Sequence, residues 1–314
     1  MAPRVRIVAA GLCAGLSLAF VSACGSEPAL PSAGTQDAPA GQQPDLTLVT
    51  ARNAFARLKD LDDAWKKRDC TKIEFMTTDA ESTLGGRVCQ AARNGRAAPS
   101  MPLYDDVTYY LPRDGDWFAA LAQKPSPAYF VFAYAGDDWR LAAGPIPVVG
   151  KAPKIDDGVV PSGDSDTEIK ATLVPQQYLT YLTDPAGVSG VRFASGDPMR
   201  DLLSELIRNP LRVRPDRVGS DVSLIAGPSR ALLLPGNAAL VFHALKLVIT
   251  QKAGPGRSKL AHPLRSAADI KAFTGKTHPD KIVSTELLLV ATRISSDNAM
   301  TTIGFNRIVS DITS

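Results

Sequence analysis

Two stretches rich in proline and glycine decide how much of this chain can build a core. Gly25–Asp45 holds seven Pro or Gly in 21 residues, and its only large apolar side chain is Leu30. Such a segment buries too little surface to offset the entropy of ordering it. It reads as a tether, residues 24–45, with a root-mean-square span of roughly 25 Å. Lys151–Asp166 is a second break, with Pro153, Gly158, Pro161, Gly163 and acids at 156, 157, 164 and 166. These interruptions divide the 314 residues into blocks 46–150 and 168–314, with 151–167 as linker, and each block has the length of an ordinary domain. Apolar residues make up 45% and charged residues 21% of the chain, which excludes wholesale disorder. The 35 basic and 32 acidic side chains are too balanced for a dedicated nucleic-acid binder.

Ahead of the tether, Arg4 and Arg6 precede Ile7–Phe20, a 14-residue apolar stretch without charge. A spanning helix needs about 20 apolar residues, so this stretch has signal-sequence length. It ends in Val21-Ser22-Ala23-Cys24, which resembles a bacterial lipobox: an apolar residue, two small residues, then cysteine. The resemblance implies diacylglyceryl transfer to the Cys24 thiol, removal of residues 1–23, and attachment to the outer face of the cell membrane. Two acyl chains anchor stably where one binds reversibly. The alternative is an ordinary secretory signal with an incidental cysteine. Processing would discard Cys13 and both signal arginines, leaving 33 basic against 32 acidic side chains. Cys70 and Cys89 then remain. An even count in an exported chain argues for a disulfide, which would close a loop of about 20 residues and stabilise the fold by roughly 3 kcal/mol. Two free buried thiols are the alternative.

Leu48, Ala51, Phe55, Leu58, Leu61 and Trp65 recur at spacings of three and four and predict one helix ending near Asp69. Residues 70–95 are less regular. Residues 104–149 read as antiparallel strands, with a hairpin turn at Gly136-Asp137-Asp138. The second block opens with helical pieces around Tyr178, Leu179 and Leu182. A clearer helix follows, with Asp197 as N-cap, Pro198 at its first position and Asn209-Pro210 as its stop. Strand-like runs cover 222–225, 231–234, 238–251, 281–294 and 300–309, and the β-branched, aromatic run Leu240–Ile249 should be central. The fold class is α+β: two modules, each with N-terminal helices packed on an antiparallel sheet. This order resembles the NTF2-like and cystatin-like folds. Together with the lipobox, the tether and the early cysteine pair, it makes the chain similar to uncharacterised secreted lipoproteins of actinobacteria. That resemblance implies an extracytoplasmic, lipid-anchored protein and brings no catalytic residues with it.

Chemistry-bearing motifs are scarce. Gly275-Lys276-Thr277 lacks the earlier P-loop glycine, since position 270 is Ile. Ser189 lies in a Gly-Val-Ser-Gly-Val run that fails the nucleophile-elbow pattern. His262 and His278 read as solvated loop histidines rather than zinc ligands, and His243 as a core histidine sharing a face with Val241, Leu245 and Leu247. Adjacent acids at 62/63, 105/106, 114/116 and 137/138 read as turn residues. No catalytic residue, metal site or cofactor is assigned. Arg208, Arg212, Arg214 and Arg217 cluster around Pro210 and Pro215, which would hold the segment extended, with only Asp216 opposing. They are either a contact for anionic lipid headgroups or wall polymers, or a solvated connector paired with acids elsewhere. All three Trp and five of seven Tyr fall in the first block. They fill a small core, or they line an apolar ligand pocket of the kind NTF2-like folds enclose. The expected function is a non-enzymatic binding or assembly component of the cell envelope, meeting an envelope protein, anionic lipid or wall polymer and no nucleic acid. The alternatives are a carrier or sensor of an apolar ligand through the first block, or an enzyme using an unrecognised acid/base pair.

Overall fold

Thr47 starts the described fold by capping a helix: its side chain accepts a hydrogen bond from the Thr50 amide at 3.1 Å. The computed structural model describes residues 45–113, 115–155, 158–160, 165–225, 227–234 and 236–314. The expected signal sequence 1–23, the acylation site Cys24 and the tether up to residue 44 lie outside the described residues, as do 156, 157 and 161–164 of the expected linker.

The helix expected from Leu48 to Trp65 is two helices, α1 (Leu48–Ala56) and α2 (Leu58–Lys67). They meet at Arg57, whose guanidinium reaches the Asp138 carboxylate and the Trp139 carbonyl. The apolar stripe of Ala51, Phe55, Leu61 and Trp65 runs unbroken across this joint, so spacing alone cannot show it. The region expected to be irregular is also helical: α3 (Cys70–Met76) and α4 (Asp79–Arg93). The Cys70–Cys89 disulfide ties the two together. Their close approach needs Gly85, where a Cβ would lie 2.9 Å from Glu74 Cγ and 3.3 Å from Glu74 Cα. Glycine inside a helix costs about 1 kcal/mol relative to alanine, which hides this helix from a reading by propensity.

A meander follows: β1 (Asp105–Pro112), β2 (Trp117–Lys124), β3 (Ala128–Ala135) and β4 (Asp138–Pro147). The β3–β4 turn has Gly136 and Asp137 at φ 59° and 66°, the two left-handed residues that match a hairpin's twist. Within the expected linker, β5 (Gly158–Val160) pairs parallel to β1, giving the order β4-β3-β2-β1-β5.

The second half begins with α5 (Ser165–Thr183), which accommodates Pro175 inside it, and α6 (Pro198–Arg212). Asp197 caps α6 through the Met199 amide at 2.9 Å. The stop expected at Asn209-Pro210 does not occur. Pro210 falls in the last turn, where it forfeits a single backbone bond, and buried Leu206 and Asn209 hold that turn in place. Arg208 and Arg212 are therefore helical rather than on an extended segment. Then come β6 (Arg217–Leu224), β7 (Arg230–Leu234), β8 (Ala238–Lys252), α7 (Ala267–Thr274), β9 (Lys281–Ile294) and β10 (Met300–Thr313). They form a second antiparallel sheet, ordered β10-β9-β8-β6 with β7 also on β8. The run expected to be central is central.

The described residues form one compact unit. Alternation along β8 shows how it is held. Leu240 and Phe242 join a hydrophobic cluster with α1, α2 and the first sheet, while Val241, Leu245 and Leu247 join a second cluster with α5 and α6. The second sheet is thus buried on both faces, which explains why its central strands read as near-continuous apolar runs.

Candidate ligand site at a gap in the second sheet

One edge of β8 is shared by two short strands. β7 pairs with residues 238–242 and β6 with residues 245–252. His243 and Ala244 fall between them, without a ladder partner on that edge among the described residues. A cavity of about 380 Å³ occupies this gap, within the range of small-molecule sites. Its walls come from β8 (Phe242, His243), from β3 and β4 (Val131, Ala143), from α5 (Leu173) and from the start of α4 (Asp79). Leu173 and Leu224, which also line it, are 50% and 42% exposed and mark an apolar mouth.

Asp79, Thr172, Gln176 and Ser229 also line it, and two further polar groups, Arg230 and His243, each hold a buried nitrogen. Arg230, the first residue of β7, pairs with Asp79 at 2.7 Å, and its side chain is only 10% exposed. Its Nε is buried without a hydrogen-bond partner among the described residues. Asp79 holds a left-handed backbone, φ 46°, a conformation that costs about 1 kcal/mol or more in a non-glycine residue. Strain of this kind concentrates at sites that use it.

The second group is His243, 7% exposed. Burial pushes its pKa down to about 3, so the ring is neutral at physiological pH. Its Nε2 lies 3.2 Å from Thr292 Oγ1, and its Nδ1 is buried without a partner among the described residues. Behind it runs a chain of hydroxyls. Thr292 bonds the Tyr178 hydroxyl at 2.7 Å, Tyr178 bonds Thr302 Oγ1 at 2.8 Å, and Thr302 donates to Asp197 Oδ1 at 2.9 Å. Asp197 also accepts from the amides of Met199 and Thr302. The Tyr178 ring packs edge-on against His243, centroids 4.6 Å apart, and burial raises the Tyr178 phenol pKa. His243 has the burial expected of a core histidine, and its ring also lines the cavity. No spacing in the sequence signals this, because the gap arises from the offset between the β6 and β7 ladders.

Of the two readings of the first half's aromatics, a filled core or a ligand pocket, the filled core describes most of them. Phe55, Tyr109, Phe118, Phe130 and Phe132 pack ring against ring, with Phe118 and Phe132 stacked at 4.9 Å. They fill the core, and Val131, Ala142 and Ala143 of that sheet reach the cavity at its border with β8. A groove of about 410 Å³ lies between α1–α2 and residues 100–104; its Asp62 is engaged by the Met101 amide and Lys66.

The arginine cluster is exposed. Arg208 folds back onto the Ser204 carbonyl at 3.1 Å, and Arg212, Arg214 and Arg217 have no ion-pair partner among the described residues. Asp216, expected to oppose them, turns inward instead. Burial would raise its pKa, but the amides of His262 (3.0 Å), Ala261 (2.8 Å) and Gly254 and the Gln251 side chain outweigh this and lower it. Ile207 and Leu211, one helical turn apart on α6, are 51% and 61% exposed beside Arg208 and Arg212. His262 and His278 stand in separate loops, and no group of three metal-ligating side chains occurs among the described residues.

No protein-family model, curated protein or solved structure matches this chain. Its function rests on the chemistry of the site.

Proposed function

We propose that this protein is a membrane-tethered carrier or sensor of a mainly apolar small molecule, acting outside the cytoplasm without catalysing a reaction. The observation that carries the reading is the cavity beside β8: a mainly apolar wall whose His243 and Arg230 each hold a buried nitrogen, Nδ1 and Nε, without a hydrogen-bond partner among the described residues. Most buried polar side chains find a hydrogen-bond partner. Binding accounts for the site better than catalysis does, because a histidine with a pKa near 3 is a poor general base at neutral pH.

The extracytoplasmic setting is supported by the lipobox-like Val21-Ser22-Ala23-Cys24 and by the Cys70–Cys89 bridge, since disulfides persist in oxidising compartments. Kinship with the actinobacterial secreted lipoproteins, and with NTF2-like or cystatin-like modules, is part of the same proposal; its support is the helices-then-strands order of both halves. Contact with anionic lipid headgroups belongs to it too, carried by the exposed Ile207, Leu211, Arg212, Arg214 and Arg217.

The test is titration with the apolar dye N-phenyl-1-naphthylamine. Dye emission should rise on binding and the melting temperature should increase. Leu173→Trp at the mouth and Ala143→Phe in the wall should abolish binding while circular dichroism is unchanged. A wild-type protein that binds no dye, and releases no small molecule on organic extraction, would refute the carrier reading. Cys24→Ala should free the protein from membranes, and retention of that variant would overturn the anchor.

A further inference from the structure

We infer that the cavity selects an uncharged amphiphile that donates a hydrogen bond, through an alcohol or amide N–H, to His243 Nδ1 and offers a carbonyl or ether oxygen to Arg230 Nε. The inference rests on the carrier reading and goes beyond it by fixing the ligand's polar end.

The direction of every proton in the hydroxyl chain carries the argument. Asp197, as a carboxylate, only accepts, and the Thr302 hydroxyl donates its one proton to it. Thr302 Oγ1 must then accept from the Tyr178 hydroxyl. Having spent its proton there, Tyr178 accepts from Thr292. Thr292 in turn has only lone pairs left for His243, so Nε2 carries the imidazole proton. A neutral imidazole has one donor and one acceptor nitrogen. Nδ1 is therefore a bare lone pair on a ring that lines the cavity. An alcohol or amide can satisfy it, whereas a ketone, an ester or an aliphatic chain leaves it desolvated.

Arg230 sets the second requirement. Its charge is already balanced by Asp79, so a ligand carboxylate would bring an uncompensated charge into an apolar cavity. The free Nε–H asks for an oxygen acceptor without net charge. Arg230 lies directly across the ladder from Phe242, so its side chain leaves the sheet on the face opposite His243, and the cavity in the gap is lined by both residues. An acyl chain that carries both a hydroxyl and an ester or amide carbonyl meets both conditions.

The experiment uses the full chain carrying Cys24→Ala, with three probes below their aggregation concentrations: 1-decanoylglycerol, methyl decanoate and decanoate at pH 8. The first should displace the dye about tenfold more effectively than the other two, the value of one buried hydrogen bond left made or unmade. His243→Phe should reduce the preference to within about twofold. Thr292→Val does not touch the cavity but releases the imidazole proton to either nitrogen. It should narrow the preference by letting methyl decanoate bind better than it does to wild type. Equal displacement by all three probes in wild type, or a preference that survives His243→Phe, overturns the inference and leaves the carrier reading standing. Failure of every probe together with the dye defeats the carrier reading itself.

Discussion

Two buried glutamates, one in each half, solve the same problem in opposite ways. Glu286 on β9 is fully buried between the guanidinium groups of Arg265 and Arg307. Arg307 also forks onto Glu205 at 2.7 and 3.1 Å, and Arg265 reaches Ser284 at 2.8 Å. Glu81 on α4 is 3% exposed and accepts one bond, from the Gly144 amide at 3.3 Å. Burial pushes its pKa up to about 8, against a small lowering by Gly144. The difference teaches what each half tolerates. The second half keeps a buried charge by surrounding it with opposite charge, and the first keeps its carboxyl by leaving it protonated.

The strongest way to break this contrast is Glu286→Ala. It strips the largely buried Arg265 of its carboxylate, leaves Arg307 with Glu205 alone, and should lower stability by about 3–5 kcal/mol in urea unfolding at pH 7. A loss below 1 kcal/mol would mean the network is ornamental. Glu81→Gln should act in the other direction. In the folded wild type the proton stays on up to about pH 8, against an ordinary value of 4.5. The folded state therefore binds more protons across that window, and wild-type stability is full below pH 4.5 and falls as pH rises towards 8. The variant escapes this loss, so its advantage should be near zero at pH 4 and on the order of 4 kcal/mol at pH 8. A difference independent of pH would refute the protonated assignment.

Removing the bridge with Cys70→Ser and Cys89→Ser should cost roughly 3 kcal/mol by loop-closure entropy. Because the bridge holds α4, which carries Glu81, against α3, the pH effect at Glu81 should shrink at the same time. The smallest effect expected is at His243. Its pKa falls from 6.5 to about 3 on burial, so its contribution is complete above pH 6.5 and is lost as pH falls towards 3. His243→Phe should remove about 2 kcal/mol of the stability change between pH 7 and pH 5. Glu81 and His243 thus oppose each other between pH 4.5 and 6.5. Wild-type stability should be nearly flat there and fall on either side.

The β structure was largely legible from sequence because burial imprints it. β9 coincides with its apolar run, Lys281–Ile294, and β8 with a β-branched stretch that only a central position explains. The Asp197-Pro198 start of α6 and the Gly136-Asp137 turn are local signals and appear where they were read. What escaped depends on distant residues. The α3–α4 pair looks irregular because Gly85 is there for Glu74 rather than for the helix. Asp216 looks like a counter-charge to the arginines, but its partners are the amides around residues 254–262. The cavity left no trace, because its polar atoms matter only through what fails to reach them. Thr292, Thr302 and Tyr178 look like ordinary strand and helix residues until their protons are followed in order.

Helix α6 joins two parts of the molecule that have so far been treated separately. Its first residue follows Asp197, the carboxylate that sets the direction of the hydroxyl chain, and its last turn bears Arg208 and Arg212. Fifteen residues make a rod about 22 Å long. At its capped end Asp197 accepts from Thr302 at 2.9 Å, and at its other end Arg208 and Arg212 stand exposed. The helix is thus a single rigid element with one end in the buried hydroxyl chain and the other among the exposed arginines.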